Sequence, residues 1–367
     1  RPFDPGIIHF WKEYAIMKAL VMSEPGYVKM TEIPTPVPKE DEVLVKIHAS
    51  GICVNDVRDF KGDCNFSYPR IGGHEYAGEI CEMGSAVNKD RFHVGQKVVT
   101  YIIDNCNECY YCKNGYENVC PDFSHTTAYQ NPDGISGFGG FAQYITAKAS
   151  DLYICEDHVS YEKLALTEPI ACVLNSINKS NVEFGDDVLV IGGGTMGMLH
   201  VMLAHLRGAR VILSEPMKER RDKALELGAN DVIDPMNTDA VAEVKKLTGG
   251  MGAKVVFDTT AVPALALQAI ECTAKCGTVV MFSSLHPNKP VEVNLGAIHS
   301  TQVNITGAQN GSVKTFWQAV QIMNKGVFDP TPLIEAVYDY NDFDEAMACA
   351  MRPDTYKVVL KMEDHDK

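Results

Sequence analysis

The sequence predicts an α/β chain of two units, one built on a doubly wound parallel sheet and the other rich in strand. Three observations carry that prediction. From about Tyr161 the texture alternates: a helical stretch from Leu166 to Lys179 leads to VLVIGGG, then a helix, then ARVILSE, RRDKALELGA, VVFDTT and GTVVMF. Short apolar strands separated by helices imply a parallel sheet covered on both faces. Before that, from Met17 to about Ser150, short β-rich runs such as LVMSEPGYVKM and EVLVKIHASGI are broken by frequent Gly and Pro, which reads as strands with long loops. Finally, 367 residues exceed a single core of the commonest size and suit two domains.

After about Asn304 the pattern turns mixed and ends in YKVVLKM, a strand able to return to the first unit. The expected division is an N-terminal extension over 1–16, a strand-rich unit over 17–164 and 305–367, and a parallel-sheet unit over 165–304.

Composition narrows the function classes. A 46% apolar and 22% charged content is that of a folded globular chain. The formal charge of -15 repels phosphate backbones and anionic lipid, so neither nucleic acid nor membrane is an expected partner. No run of about 18 uninterrupted apolar residues is present, and the first twenty residues lack the basic flank and apolar stretch of a secretory signal. A cytoplasmic location is expected.

Gly192-Gly193-Gly194-Thr195-Met196-Gly197 holds Gly-x-Gly-x-x-Gly between the strand VLVI and the helical run MGMLHVMLAHL. Gly192 permits the tight turn, Gly194 lets the backbone approach a pyrophosphate, and Gly197 lets helix pack on strand. Exposed amides at the helix start then favour the anion. Glycine-rich turns alone are common punctuation. Here the next strand, ARVILSE, ends in Glu215, eighteen residues beyond Gly197, where an acid binds ribose hydroxyls and repels a 2'-phosphate. NAD is therefore expected over NADP, with Arg220 softening the preference; the alternative is a solvated acid at a strand end.

Twelve cysteines are present, and four crowd into fifteen residues as Cys106-x2-Cys109-x2-Cys112-x7-Cys120. Such spacing wraps a tetrahedral Zn²⁺ and leaves no open position, so the site is read as structural. An iron–sulfur cluster, two disulfides or buried unpaired thiols are the alternatives. Polar neighbours Asn105, Glu108, Lys113 and Asn114 argue against core burial, and a reducing compartment argues against disulfides.

Cys53 in ASGICVND, His74-Glu75 in RIGGHEYAG and Glu168 in ALTEPIA each have an ordinary reading when taken singly: a small buried hydrophobe, a hydrogen-bonded loop histidine, surface acids. Together, GICVND, GGHEYAGEI, CNECYYCKNGYENVC, LTEPIACVLNSI, VLVIGGGTMG and RRDKALELGA make the chain resemble the zinc-containing medium-chain alcohol dehydrogenases, closest to the polyol (sorbitol, L-iditol) and threonine dehydrogenase branch. The resemblance runs from Met17 to the C-terminus. It implies a GroES-like catalytic domain split around a Rossmann domain, a homodimer or homotetramer, and one catalytic and one structural zinc per chain. It assigns Cys53, His74 and Glu75 as catalytic zinc ligands, Glu168 as a ligand in some relatives and a water-mediated neighbour in others, and Asp56 as the carboxylate orienting the His74 imidazole. Three protein ligands and an open position suit a catalytic zinc. The implied reaction is zinc-assisted hydride transfer between an alcohol and the nicotinamide.

The pattern departs at two positions. Relatives carry Ser or Thr two residues after the zinc-binding cysteine, and often His three further on; here these are Asn55 and Arg58. Asparagine can bond a substrate oxygen but is no proton relay at neutral pH. Either Glu75 or Glu168 passes the proton through water, or Arg58 binds an anionic substrate or cofactor group; alternatively, Arg58 is a surface residue or pairs with Asp59. Besides a secondary-alcohol enzyme, the alternatives are a primary-alcohol or aldehyde dehydrogenase of the same fold and a non-catalytic nicotinamide binder.

Overall fold

The structure, a computed structural model, describes residues 16–122, 134–285 and 288–362. The extension expected over 1–16 lies outside them apart from Ile16. The described residues form two compact units, one running to Glu168 and resuming at Phe316, the other spanning Pro169–Thr315.

In the first unit, the strand Ile16–Glu24 pairs with Tyr27–Pro34 and with the two-residue strand Arg70–Ile71, which in turn pairs with Ser136–Gly137. A seven-stranded sheet is organised on the long strand Glu42–Ile52. One half of it pairs with Tyr144–Lys148; the other pairs with the C-terminal strand Lys357–Lys361; and Glu75–Met83 runs antiparallel along its length. The core beneath is apolar, with Ile47, Ile71, Ile80 and Val358 each fully buried. The helix Val54–Lys61 follows directly from the long strand. It ends at Gly62, whose φ of 77° is the left-handed conformation glycine adopts most cheaply.

The second unit is a six-stranded parallel sheet ordered Asp231–Ile233, Arg210–Ser214, Asp187–Ile191, Ala253–Asp258, Thr273–Met281, Asn304–Gly307. The sequence-first strand lies in the middle and the chain winds outward to both sides. Such an order opens a crevice beyond the carboxyl ends of the two central strands, where ligands bind. Val188, Leu189, Val190 and Ile191 are all buried, as a sheet covered on both faces requires. Asn304–Gly307 completes this sheet as its edge strand, so the junction falls after it and not at 304/305.

His200, on the helix Thr195–Leu206, has no exposure. Its Nδ1 lies 2.8 Å from the Met196 carbonyl and its Nε2 3.0 Å from Ser176 Oγ, so a neutral ring donates to the carbonyl and accepts from the hydroxyl. Burial lowers its pKa to about 4. The unfolded chain therefore binds a proton between about pH 6.5 and 4 that the folded chain refuses, and stability falls with pH across that window. At pH 5 the loss is on the order of 2 kcal/mol. Urea midpoints at pH 7 and 5 test this: His200→Gln is expected to reduce the difference between them, and an unchanged difference removes His200 as its source.

Candidate active site

Cys53 caps the N-terminus of Val54–Lys61 in an extended conformation, and its sulfur accepts the Asp56 amide. Asp56 answers with both oxygens: Oδ2 accepts from Cys53 N–H at 2.9 Å and Oδ1 from Gly73 N–H at 3.0 Å. His74 follows Gly73, and Glu75 opens the strand Glu75–Met83. The topology thus brings Cys53, His74 and Glu75 together from a helix start and a strand start, with one ligand atom of each within 4.8 Å of the others. A soft sulfur, an imidazole and a carboxylate suit zinc, and three protein ligands leave one position open. Burial pushes the Cys53 thiol up, so metal binding there displaces a proton.

Asp56 stands 3.8 Å from His74 Nδ1, beyond hydrogen-bond length. It acts on His74 electrostatically and through the backbone amide of Gly73, in place of the direct hydrogen bond to the imidazole. The His74 ring also meets Phe138, centroid to centroid at 5.2 Å. Glu168, half-buried in the first turn of Thr167–Ser180, influences His74 and Lys357 electrostatically but stands outside the three-ligand cluster. Asn55 is exposed. The pairing of Arg58 with Asp59 is not made: Asp59 is buried and its carboxylate goes to Arg70 Nε at 2.7 Å and Tyr68 Oη at 2.8 Å.

Lys357 was not anticipated. It is 4% exposed, and its ammonium lies 2.8 and 2.6 Å from the two Glu75 oxygens and 3.2 Å from the Ile52 carbonyl. Although burial opposes its charge, the Glu75 carboxylate holds its pKa above the ordinary value. Gly51 makes room for the pair. It sits opposite Glu75 in register, and a Cβ there would collide with Glu75 Oε2 and approach Lys357 Cδ to 3.3 Å. A lysine at the start of a strand ordinarily reads as an exposed end; the signal for burial lay in Gly51 and in the apolar run after Lys357.

The four cysteines of the loop form a separate cluster. Their Sγ atoms are 3.5 Å (109–112), 3.6 Å (106–120), 3.8 Å (109–120) and 3.9 Å (106–112) apart. A regular tetrahedron with Zn–S bonds of about 2.3 Å has edges of roughly 3.8 Å, so the thiols already stand where the ion would hold them. These separations far exceed a disulfide bond of about 2.0 Å. The short helix Tyr110–Lys113 beside them buries none of its residues, so a bound metal would supply order there that apolar packing does not.

In the second unit the glycine turn has a geometry that could hold a phosphate. Gly192 has φ 95°, and a Cβ on it would meet Thr260 Cγ2 at 2.8 Å. A Cβ on Gly197 would strike the Gly192 carbonyl, while one on Gly194 would meet only Arg220 Nη1 at 3.8 Å. The surface at Gly194 therefore stays open, beside the first amides of Thr195–Leu206, which no side chain caps; Thr195 and Met196 open that helix. A pyrophosphate fits there. Glu215 is not a solvated acid. It is 4% exposed, with Oε2 accepting from Gly193 N–H at 2.6 Å and Oε1 from Met217 N–H at 2.9 Å. Arg220 Nη1 stands 4.0 Å from it. Thr259 Oγ1, also unforeseen, donates to the Ile191 carbonyl at 2.8 Å and braces the turn.

Cys112→Ser is expected to remove one zinc per chain and make the 106–120 loop protease-sensitive, measured by elemental analysis and limited trypsin digestion; full zinc retention contradicts the tetrathiolate reading. In the metal-free protein, Lys357→Met is expected to cost about 3–5 kcal/mol by stranding a buried carboxylate. Adding Glu75→Gln should recover part of that loss in a double-mutant cycle, whereas strictly additive effects mean that the two groups do not interact.

Residues 39–157 match the model of the alcohol dehydrogenase GroES-like domain and residues 195–325 that of the zinc-binding dehydrogenases. The D-arabitol-phosphate dehydrogenase of Enterococcus avium is 30% identical over 355 residues, covering 94% of this chain and 97% of that protein. Among solved structures, a zinc-binding dehydrogenase from Sinorhizobium meliloti bound to NADP shares 26% identity at a TM-score of 0.87, covering 95% of this chain and 99% of the other. An Escherichia coli alcohol dehydrogenase complexed with NADH shares 25% at 0.86, covering 95% and 100%. Two domain models, a full-length relative at this identity and a two-site cysteine, histidine and glutamate arrangement agree, and the chain belongs to the zinc-binding alcohol dehydrogenase family.

Proposed function

We propose that the chain transfers hydride between NAD(H) and a secondary alcohol or ketone of a polyol, sugar derivative or hydroxy amino acid. The observation that carries this reading is the three-ligand cluster of half-buried Cys53 with buried His74 and Glu75, which would leave a metal one position for a substrate oxygen. A bound Zn²⁺ would supply Lewis acidity toward that oxygen. Cys53, His74 and Glu75 would hold the ion, and Asp56 keeps the Cys53 and Gly73 backbones in place. Because the Lys357 ammonium lies against both Glu75 oxygens, Glu168 is the carboxylate left to take the substrate proton through water. Glu215, fixed by the Gly193 and Met217 amides, presents negative charge where a 2'-phosphate would lie, so NAD is the preferred cofactor. The assembly is a homodimer or homotetramer in the cytoplasm. No helix among the described residues is long and apolar enough to cross a membrane.

Anionic substrates are favoured by one observation: among the described residues no carboxylate pairs with the half-buried Arg58. A guanidinium so placed suits a phosphate or carboxylate, and the Enterococcus relative acts, by its name, on a phosphorylated polyol.

A panel of polyols, sugar phosphates, hydroxy acids and threonine, assayed for NADH formation, tests the reading. Turnover is expected with at least one secondary alcohol and more efficiently with NAD than with NADP; none across the panel, with both metal sites filled, would point to a non-catalytic nicotinamide binder. On the best anionic substrate, Arg58→Ala should raise KM with little change in kcat, and unchanged Michaelis constants for substrate and cofactor dispose of the anion-binding role.

A further inference from the structure

Asp56 and Asp59 lie three residues apart on Val54–Lys61, hence on one face, and both are buried. Two carboxylates one turn apart repel, and Asp56 indeed adds to the rise in the Asp59 pKa that burial causes. The first has an evident task in joining Cys53 to Gly73. The second faces Arg70, itself 2% exposed, with Nε 2.7 Å from Asp59 Oδ2 and the Phe66 ring 3.9 Å beneath the guanidinium. Tyr68 Oη donates to the Asp59 carboxylate at 2.8 Å. Neither Nε nor Nη1 of Arg70 makes a hydrogen bond, so its contact with Asp59 is that of an ion pair. Taken only as a source of stability this arrangement is poor: a buried ion pair with an unsatisfied donor does no better than apolar residues of similar size.

What the pair does accomplish is mechanical. Asp59 is six residues from Cys53 on its helix, and Arg70 four residues before His74 on the segment leading into it. Arg70 is itself pinned between Met22 and Ser136 in the four-stranded sheet. Asp56–Gly73 joins the two segments at the ligand end, and Asp59–Arg70 joins them one helical turn away. A single link permits the helix to pivot; two links fix both its distance and its direction. We infer that the Asp59–Arg70 pair is a positioning device for the metal centre, locking the helix that carries Cys53 to the strand that leads into His74. The inference rests on the reading of Cys53, His74 and Glu75 as a metal site.

The test uses full-length protein with zinc in the four-cysteine site and Co²⁺ loaded into the other, followed by its thiolate-to-cobalt absorption and by release to a chelator. Asp59→Leu/Arg70→Met replaces the pair with apolar side chains. Its melting temperature is expected to stay within a few degrees of wild type, with the zinc of the four-cysteine site retained, a shifted cobalt spectrum and release accelerated roughly tenfold or more. A merely structural pair would leave spectrum and release unchanged in the folded variant, and that result overturns the proposal. Should the double variant fail to fold, Tyr68→Phe removes one bond from Asp59 and strands no charge; it is expected to speed release about twofold to threefold, and no change again counts against the device. Wild-type protein that takes up no cobalt beyond the four-cysteine site overturns the metal reading itself, an outcome distinct from a variant that behaves like wild type.

Discussion

The carboxylate of Asp56 takes the Cys53 amide on one oxygen and the Gly73 amide on the other, and the candidate active site depends on that bridge. Cys53 lies at the end of an eleven-residue strand and the beginning of a helix, His74 at the entry to another strand. Chain geometry alone does not set their separation. The glycines around the bridge follow from it. Gly73, at φ 79°, turns its amide to Asp56 where a Cβ would press on the Phe141 ring, and Gly51 leaves space for the Glu75–Lys357 pair.

Charge balance is the second constraint. A thiolate and a carboxylate gathered in a buried niche repel until a cation joins them. Lys357 supplies one positive charge permanently, delivered by the C-terminal strand, which pairs with the very strand that ends at Ile52. This return of the chain is therefore more than closure of a sheet. The four-cysteine loop meets the same problem differently: four thiols converge beside a short helix that buries none of its own residues, and a bound ion would both balance their charge and order the loop.

Much of this was legible in the sequence because the relevant signals are local. The glycine turn, the strand before it and Glu215 lie within one βαβ unit, and the four cysteines within one loop; fixed spacing carries such information. The resemblance extended legibility to Cys53, His74 and Glu75. What stayed hidden depends on contacts between distant segments. Lys357 meets Glu75 across 282 positions. Asp59 chooses Arg70 over its neighbour Arg58, and the Asp56 oxygens go to backbone amides, with the imidazole beyond hydrogen-bond reach. Spacing along the chain encodes none of these choices, since each is settled by which group the tertiary fold presents at 3 Å.

The most direct measurement is the zinc content of purified wild type and of the variant Cys53→Ser/His74→Gln, with circular dichroism confirming that both fold. Two zinc ions per wild-type chain and one in the variant are predicted, the remaining ion being held by Cys106, Cys109, Cys112 and Cys120. One ion in wild type, or two in a folded variant, would contradict a catalytic metal at Cys53, His74 and Glu75.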